Sequence, residues 1–330
     1  MDSARLQFES DRPTVVIPVL NDWDALRRVL LMLDGELAAA GQLANVLVVD
    51  DGSTVPAPRD LFAELGTAVC DVRVLHLRRN LGHQRAIAIG LTCAFEQTDA
   101  TEFVVMDGDG EDAPSDVPRL LAALREAGPN TVVFAARSKR SEGATFRMFY
   151  ALFRLVHWLL IGRVPRVGNF SALTRGVLER LVVTSDMWNH YAATVYRSRV
   201  DIRTIPTARA KRLCDGPGMS FVALVVHGLS ALAVYGDVVG VRSLIATGVL
   251  ILTSMLAVVV ALGVELLTPF AVPRWATVGV GVAVLVCVQA MSLAFVLCLS
   301  ILGARDRLGF IPIRDYAYFV RDVTTGAAEQ

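Results

Sequence analysis

Four acidic residues lie within one short segment, directly after an apolar run that predicts a β-strand. The segment is Asp107-Gly108-Asp109-Gly110-Glu111-Asp112. Carboxylate oxygens at alternating positions suit Mg²⁺ or Mn²⁺, and both ions also bind phosphate oxygens. A divalent ion held there would offset the charge that builds up on a departing diphosphate. The segment therefore predicts a metal site, although Asp112 is equally well explained as a turn residue.

Other metal and phosphate motifs fit this chain poorly. An EF-hand loop needs Gly at its sixth position and Glu at its twelfth, where this chain has Asp112 and Pro118. A GxxxxGK[ST] phosphate loop is absent from the sequence, and no GxGxxG follows the first predicted strand. These absences argue against a P-loop nucleotidase and a Rossmann dinucleotide enzyme.

The acidic segment belongs to a regular alternation of strands and helices. The apolar runs predict strands over 14–19, 45–49, 72–77, 103–106 and 131–135, and the amphipathic segments predict helices over 23–40, 86–95 and 116–126. Continuous Val/Ile/Leu strands between helices are typical of a mostly parallel sheet with both faces covered. Ligands of such sheets bind beyond the carboxyl ends of the strands.

Polar residues follow each of the five predicted strands. A single acidic turn is usually a solvated loop, but polar ends that converge on one sheet edge favour a binding site. The residues are Asn21 and Asp22, then Asp50 to Ser53, then Asn80, His83 and Gln84, then the acidic segment, and finally Arg137 to Arg140.

The composition points to a membrane and away from nucleic acid. Lys+Arg and Asp+Glu both number 32, so the 330-residue chain lacks the basic excess of a general nucleic-acid binder. Charged residues make up only 19%, and the mean hydropathy is +0.49, whereas soluble domains average about 25% charged. The apolar excess is concentrated in residues 243–267 and 275–302, and each run is long enough to span a bilayer.

Positive residues flank these two runs on their outer sides. They are Arg209, Lys211, Arg212 and Arg242 before the first run, and Arg305, Arg307, Arg314 and Arg321 after the second. The positive-inside rule then predicts a hairpin with both termini in the cytoplasm. The polar start of the chain does not resemble a signal peptide, so we also expect the large N-terminal domain in the cytoplasm. Residues 219–235 predict a helix in the membrane interface, with a buried core helix as the alternative.

Taken in order, five segments of the chain resemble the family-2 glycosyltransferases of the GT-A fold. They are VVIPVLND, VVDDGS, NLGHQRAIAIGL, VVMDGDGEDAP and FAARSKR. The later segments GNFSALTRGVLERL and GMSFVALVVHGLSALAVYGDVVGVR, followed by two spans, resemble the polyprenyl-phosphate branch, which includes dolichol-phosphate mannose synthase and GtrB-like enzymes. The resemblance covers roughly residues 13–320. It implies a GT-A catalytic domain (1–215), an interface helix region (216–242), a transmembrane hairpin (243–303) and a cytoplasmic tail (304–330).

The resemblance also implies roles for individual residues at the donor site. The nucleotide pocket would be lined by Pro18, Asn21, Asp50 and Asp51, and Lys211 and Arg212 would close over the diphosphate. Asp107 and Asp109 match the D-x-D motif, with Asp109 as the principal metal ligand. Glu111 stands where relatives often have Gln and is expected to add to the metal site. His83 and Gln84 stand where relatives often carry Lys or Arg, and their contact with the donor is left open.

The acceptor implied by the resemblance is a polyprenyl phosphate, which is largely ionised near neutral pH because the second pKa of a phosphate is about 6. Such a nucleophile needs cations to position it more than it needs a general base. The guanidinium fork of arginine binds two phosphate oxygens, so Arg137, Arg140 and Arg147 are the candidate acceptor residues. Together with Asp109, Arg137 is the candidate catalytic residue.

The expected function is metal-dependent, inverting transfer of a sugar from a nucleotide-sugar donor to an undecaprenyl-type phosphate. The reaction would take place at the cytoplasmic face of the inner membrane and feed cell-envelope glycan or glycolipid modification, and a homo-oligomer is a further expectation. Alternatives are a transferase acting on another lipid-linked acceptor, a nucleotidyltransferase and a non-catalytic membrane scaffold. A processive synthase is disfavoured, because Ala271 replaces the Gln of its Q-x-x-R-W motif.

Overall fold

The structure is a computed structural model that describes residues 8, 12–137, 158–162, 167–208, 210, 212–213, 221–268, 273–305 and 309–325. The chain divides into two compact units. The first comprises residues 1–143, 165–234 and 310–330, and the second comprises residues 144–164 and 235–309.

The elements follow one another in a regular α/β order through the first unit. They are β1 (Thr14–Val19), α1 (Trp23–Ala39), β2 (Ala44–Asp50), β3 (Val69–Leu77), α2 (His83–Gln97), β4 (Glu102–Val105), α3 (Asp116–Ala127), β5 (Thr131–Arg137), β6 (Ser171–Thr174), α4 (Arg175–Val182), α5 (Tyr191–Arg197), β7 (Asp201–Thr207) and α6 (Phe221–Val234). The second unit holds α7 (Gly236–Leu267) and α8 (Arg274–Arg305), and the chain then returns to the first unit with α9 (Pro312–Asp315) and β8 (Val320–Thr325).

The strands form one eight-stranded sheet in the order β7-β5-β6-β4-β1-β2-β3-β8. The pairs β1–β2, β1–β4, β2–β3 and β5–β7 are parallel, whereas β4–β6, β5–β6 and β3–β8 are antiparallel. The predicted GT-A-like α/β fold with a mostly parallel sheet is thus confirmed. The five predicted strands are all present, and their ends differ from the prediction by at most three residues.

Both faces of the sheet are buried, which explains why the central strands β1 and β2 are mainly apolar, with Thr14, Asn45 and Asp50 as their polar residues. In β2, Leu47 and Val49 pack with α2 on one face, and Val46 and Val48 pack with α1 and α3 on the other. Each of these side chains is fully buried and contributes about 1.5–3 kcal/mol by leaving water. The resulting rigid sheet fixes where the loops at its carboxyl edge begin.

The C-terminal segment is part of the sheet. Strand β8 pairs antiparallel with β3, with Val323 opposite Leu75 and Thr324 opposite Val74. The sequence analysis assigned residues 304–330 to a tail and did not identify this strand. The segment is only six residues long and four of them are polar, so its extended form depends on the neighbour with which it pairs.

The second unit contains two helices that are long and apolar enough to cross a membrane. Their candidate spans are Gly236–Leu267 and Val278–Ser300, with mean hydropathies of 2.5 and 2.6. A core helix of a soluble protein would be mostly buried, but none of the first span and 11% of the second is buried. Within this unit Ser254 Oγ lies 3.4 Å from Cys287 Sγ, a contact between the two helices.

Candidate active site

The acidic loop begins where β4 ends, and its own residues hold it in shape. The Asp112 carboxylate is buried and accepts a hydrogen bond of 3.0 Å from the Asp107 backbone N–H. Asp109 Oδ1 accepts from the Glu111 backbone N–H at 2.9 Å. Asp112 is therefore a turn residue, the alternative left open by the sequence, while Asp107 and Asp109 remain the candidate ligands.

A second set of residues, Ala210, Arg212 and Leu213, lies beside this loop. The backbone N–H of Leu213 donates to the Asp109 carbonyl at 2.9 Å, and that of Ala210 donates to the Glu111 carbonyl at 3.2 Å. Gly110 has a φ of +83°, and a Cβ there would lie 2.6 Å from Leu213 Cγ, so only glycine fits. Ala210 and Leu213 therefore lie in close contact with the candidate metal loop.

This arrangement brings Arg212 to Asp109. Arg212 Nε lies 3.2 Å from Asp109 Oδ2. The two residues were both predicted at the donor site, and the fold joins them across more than a hundred positions of sequence. Lys211, predicted with Arg212, lies outside the described residues.

Negative charge is concentrated around Asp109. Burial raises the pKa of the Asp109 carboxyl, and the nearby charges of Asp107 and Glu111 raise it further, against the lowering effects of the Glu111 backbone N–H and Arg212. A carboxylate with crowded like charges is stabilised by a cation. The electrostatics therefore favour a positive group beside Asp109.

The oxygen donors of this loop fit Mg²⁺ or Mn²⁺ by their chemistry. Among the residues that the structure describes, no group of three or more His, Cys, Asp and Glu side chains is arranged around one ion position. Mg²⁺ commonly takes one or two carboxylates and completes its shell with water and substrate phosphates. Asp107 and Asp109 fit that pattern, and a role for Glu111 as a ligand stays a prediction.

His83, the first residue of α2, faces the same acidic loop. Its Nε2 lies 3.2 Å from Asp107 Oδ1 and 3.1 Å from Asn169 Nδ2. Burial lowers the pKa of the His83 imidazole and is the largest single effect, but the carboxylates of Asp107, Asp112 and Asp109 together outweigh it, so the net shift is upward. His83 thus places a group that favours its cationic form against the loop.

Gln84, the neighbour of His83, has a different environment. Its side-chain amide donates to Asn169 Oδ1 at 3.1 Å and accepts from the Tyr191 backbone N–H at 2.8 Å. Gln84 therefore connects α2 to the start of α5. Asn169, which lies within hydrogen-bond distance of both Gln84 and His83, is half-buried and was not singled out from the sequence, although it lies in the segment GNFSALTRGVLERL.

Asp51 is held by the loop that precedes α2. Its two carboxylate oxygens accept from the backbone N–H groups of Leu81 at 2.7 Å and Gly82 at 2.9 Å. Burial raises the pKa of the Asp51 carboxyl, and these two hydrogen bonds only partly offset that effect. Asp51 thereby fixes the start of α2 and the position of His83, and its predicted contact with a nucleotide stays a prediction.

Asp50, the last residue of β2, is held on two sides. Asp50 Oδ1 accepts from the Ser53 backbone N–H at 2.8 Å, and Asp50 Oδ2 lies 2.8 Å from His76 Nδ1. Burial alone would raise the pKa of the Asp50 carboxyl, but the bonds from His76 and Ser53 outweigh it, and the pKa is lowered. Asp50 is therefore a carboxylate at neutral pH, and His76 is a further residue that the sequence analysis missed.

The ends of β1 and β2 are cross-linked by Asn21. Its Oδ1 accepts from the backbone N–H groups of Thr54 at 2.9 Å and Val55 at 3.1 Å. Asn21 itself has a φ of 62°, a left-handed conformation that Asn tolerates better than most residues. Pro18 pairs with Val49 in the β1–β2 register. Both predicted donor residues therefore lie at the carboxyl edge of the sheet, beside Asp50.

The predicted acceptor residues are only partly described. The backbone of Arg137 ends β5 and pairs with Thr207 of β7. Strand β6 separates β5 from β4, so Arg137 is two strands away from the strand that carries the acidic loop. Arg140 and Arg147 lie outside the described residues. The acceptor site therefore stays a prediction.

Comparison with known proteins identifies the family. Residues 14–182, just over half of the chain, match the model of Glycosyl transferase family 2. Similar curated proteins include the undecaprenyl-phosphate 4-deoxy-4-formamido-L-arabinose transferase of Klebsiella pneumoniae subsp. pneumoniae, 31% identical over 39% of this chain and 38% of that protein. The enzyme of the same name from Pseudomonas paraeruginosa is 33% identical over 42% of this chain and 39% of that protein.

The chain therefore aligns with about two fifths of the length of these relatives. Among solved structures, mannosyl-3-phosphoglycerate synthase from Rubrobacter xylanophilus superposes with a TM-score of 0.48 at 16% identity, over 68% of this chain and 73% of that one. On the match to the family model, which includes the acidic loop and the ends of β1 and β2, the chain belongs to glycosyl transferase family 2.

Proposed function

We propose that this protein transfers a sugar from a nucleotide-sugar donor to an undecaprenyl-type phosphate. The observation that carries the proposal is the cluster of Asp107, Asp109, His83 and Arg212 at the carboxyl edge of the family-2 sheet. The named activity of the curated relatives, transfer to undecaprenyl phosphate, supports the acceptor.

The proposed reaction is a single in-line displacement. An oxygen of the lipid phosphate attacks the anomeric carbon, and the bond from that carbon to the donor diphosphate breaks. The bonding electrons leave with the nucleoside diphosphate, and the anomeric configuration inverts. No proton must be removed from the nucleophile, because a phosphate monoester is already ionised. Positioning and charge stabilisation therefore supply most of the rate.

The acidic and basic residues that the structure describes would have different roles in this reaction. Asp107 and Asp109, with Glu111 as a predicted third ligand, would hold Mg²⁺ or Mn²⁺, which supplies positive charge for the leaving diphosphate. Arg212 lies 3.2 Å from Asp109, so its guanidinium is within reach of a diphosphate bound beside that carboxylate. Asp50 would meet the nucleoside at the neighbouring strand end, since a carboxylate can accept from base N–H or ribose O–H groups. Asn21, whose Oδ1 already accepts two backbone N–H bonds, would offer its amide N–H there.

A membrane location fits an acceptor whose hydrocarbon tail stays in lipid. The candidate spans lie between residues 234 and 310, and the chain before and after them belongs to the same unit. A segment that leaves a folded unit and returns to it must cross the membrane an even number of times. Two crossings by α7 and α8, with both termini in the cytoplasm, satisfy this condition together with the flanking arginines.

Helix α6 supports the proposed interface helix. An apolar row at helical spacing is exposed on it, formed by Val222, Val225, Val226 and Leu229. Contiguous exposed apolar side chains in a surface helix favour contact with a lipid interface. We propose that this row lies in the headgroup region of the inner membrane.

The test is transfer by the purified full chain in lipid nanodiscs, with a panel of radiolabelled nucleotide sugars and undecaprenyl phosphate. We expect an acid-labile lipid-linked sugar that requires Mg²⁺ or Mn²⁺ and disappears in Asp109→Asn. Asp60→Asn is the matched control, because Asp60 forms only an exposed ion pair with Arg27. A polymeric product would favour a processive synthase, and binding without transfer to any acceptor would favour a scaffold. Either result would contradict the proposal.

A further inference from the structure

A hydrogen-bonded row crosses three strands at the donor edge of the sheet. His76 of β3 lies opposite Asp50 of β2, and its Nδ1 is 2.8 Å from Asp50 Oδ2. On the other side, His76 Nε2 lies 3.1 Å from Thr324 Oγ1 of β8. The row therefore connects a predicted donor-site carboxylate to β8, the C-terminal strand. In the sequence, β8 follows the two long apolar helices.

The chemistry of the row fixes the tautomer of His76. The Asp50 carboxylate can only accept, so His76 Nδ1 carries the proton. Nε2 lies within hydrogen-bond distance of the Thr324 hydroxyl, which can act as donor or acceptor. The His76 and Asp50 side chains are only 13% and 9% exposed, so water competes weakly with the bond between them, whereas Thr324 is exposed. Asp322, directly opposite His76 in the β3–β8 register, adds negative charge at the exposed end of the row.

The row also limits how Asp50 can meet a ligand. A carboxylate has about four lone-pair directions, and His76 and the Ser53 backbone N–H each occupy one. The remaining directions have a fixed orientation, because both oxygens are held. A carboxylate held in this way binds a donor hydroxyl or N–H without first losing side-chain freedom.

We propose that His76 is a positioning residue for the donor nucleotide and that Thr324 of β8 holds it in place. This inference rests on the proposed function, since it assigns Asp50 to the nucleotide. His76 orients the Asp50 carboxylate toward the nucleoside and touches neither the sugar nor the acceptor. Strand β8 thereby completes the donor site, so the segment after the membrane helices belongs to the catalytic machinery.

The experiment measures binding of UDP and of GDP to the full chain in nanodiscs by calorimetry, with the acceptor KM measured in parallel. His76→Gln cannot donate from the Nδ1 position and should weaken nucleotide binding roughly tenfold, the effect of losing one hydrogen bond to a charged group. His76→Asn keeps an amide donor near that position and should stay within about threefold of the wild type. The acceptor KM should be unchanged in both variants.

Two neighbouring threonines of β8 allow a test variant and a control variant to be compared. Thr324→Val removes the hydroxyl that holds His76 and should weaken nucleotide binding by about threefold, the effect of one neutral hydrogen bond. Thr325→Val changes a similarly exposed position that pairs with Arg73 in the register, and it should bind like the wild type. Both variants should retain the wild-type melting temperature, since both positions are exposed.

The outcomes separate this inference from the function on which it rests. If the wild type binds neither nucleotide, the proposed donor is wrong, and the positioning role of His76 is overturned as well. If the wild type binds and both His76→Gln and Thr324→Val bind equally well, only the positioning role is overturned. Equal losses in His76→Asn and His76→Gln, with a parallel change in the acceptor KM, would indicate a general structural role and would also overturn it.

Discussion

The ion pair between Arg212 and Asp109 allows two roles for the arginine that predict opposite results. In the first role, Arg212 binds the donor diphosphate during transfer. In the second, it only balances the negative charge of Asp109 when no donor is bound. Replacing Arg212 with Ala removes the guanidinium in both cases. In the first case donor use falls, and in the second case a metal ion competes more easily for Asp109.

The magnitude follows from the geometry. Two unit charges 3.2 Å apart attract by about 5 kcal/mol at an effective dielectric constant of about 20. Competition from water reduces the net value to that of a hydrogen bond to a charged group, about 1.5–3 kcal/mol. If the same guanidinium stabilises the leaving diphosphate, Arg212→Ala should slow transfer on the order of 10- to 100-fold. Arg212→Lys should recover only part of this rate, because an ammonium lacks the planar fork.

The assay is the transfer rate as a function of nucleotide-sugar concentration, together with a Mn²⁺ titration of the donor-free protein. Arg180→Ala on the exposed side of α4 is the control. We expect a lower rate for Arg212→Ala and a normal rate for Arg180→Ala. An unchanged transfer rate in Arg212→Ala, accompanied by tighter Mn²⁺ binding, would refute the catalytic role and assign Arg212 to charge neutralisation alone.

Three further predictions concern the acceptor, the membrane and pH. If Arg137 has its predicted role of orienting the lipid phosphate, Arg137→Ala should raise the KM for undecaprenyl phosphate on the order of tenfold and leave nucleotide affinity unchanged. A loss of nucleotide binding measured by calorimetry would assign Arg137 to the donor instead. Reporter fusions after residue 330 and near residue 270 should report opposite sides of the membrane, and the same side for both would refute the hairpin. Because the folded-state pKa of Asp50 lies below its ordinary value of 3.8, Asp50 stabilises the fold above that pH, and this contribution is lost as the pH falls through the lower folded-state pKa. Acid denaturation of Asp50→Asn should therefore be less steep in this range than that of the wild type, and identical curves would contradict the lowered pKa.

The five central strands and the first helices could be predicted because their signal is local. A strand buried on both faces has apolar residues at most positions, as in β1 and β2, and this pattern is visible without knowledge of the neighbours. Strands β6, β7 and β8 were missed because they have four, seven and six residues and mix polar with apolar side chains. Their extended conformation depends on pairing with β4, β5 and β3, which are distant in sequence.

The candidate site, too, could be predicted only where its signal is local in the sequence. The spacing of Asp107 and Asp109 after an apolar strand was sufficient to predict an acidic loop at the carboxyl edge of the sheet, because strand direction and side-chain type are both local properties. The sequence could not decide which partner each charge has. Asp51 holds the loop before α2 through backbone N–H groups, a contact that no residue pattern encodes.

By itself, the amino-acid sequence determined the α/β class, the acidic loop and the two apolar spans, since each depends on residues that are neighbours in the chain. Only the tertiary structure decided that Arg212 meets Asp109, that His83 meets Asp107 and that Thr324 reaches Asp50 through His76. These pairs are separated by tens to hundreds of positions, and hydrogen bonds of about 3 Å form only where the packed sheet brings its strand ends together. The charge balance of the site is therefore a property of the fold, because each partner is supplied by a different element.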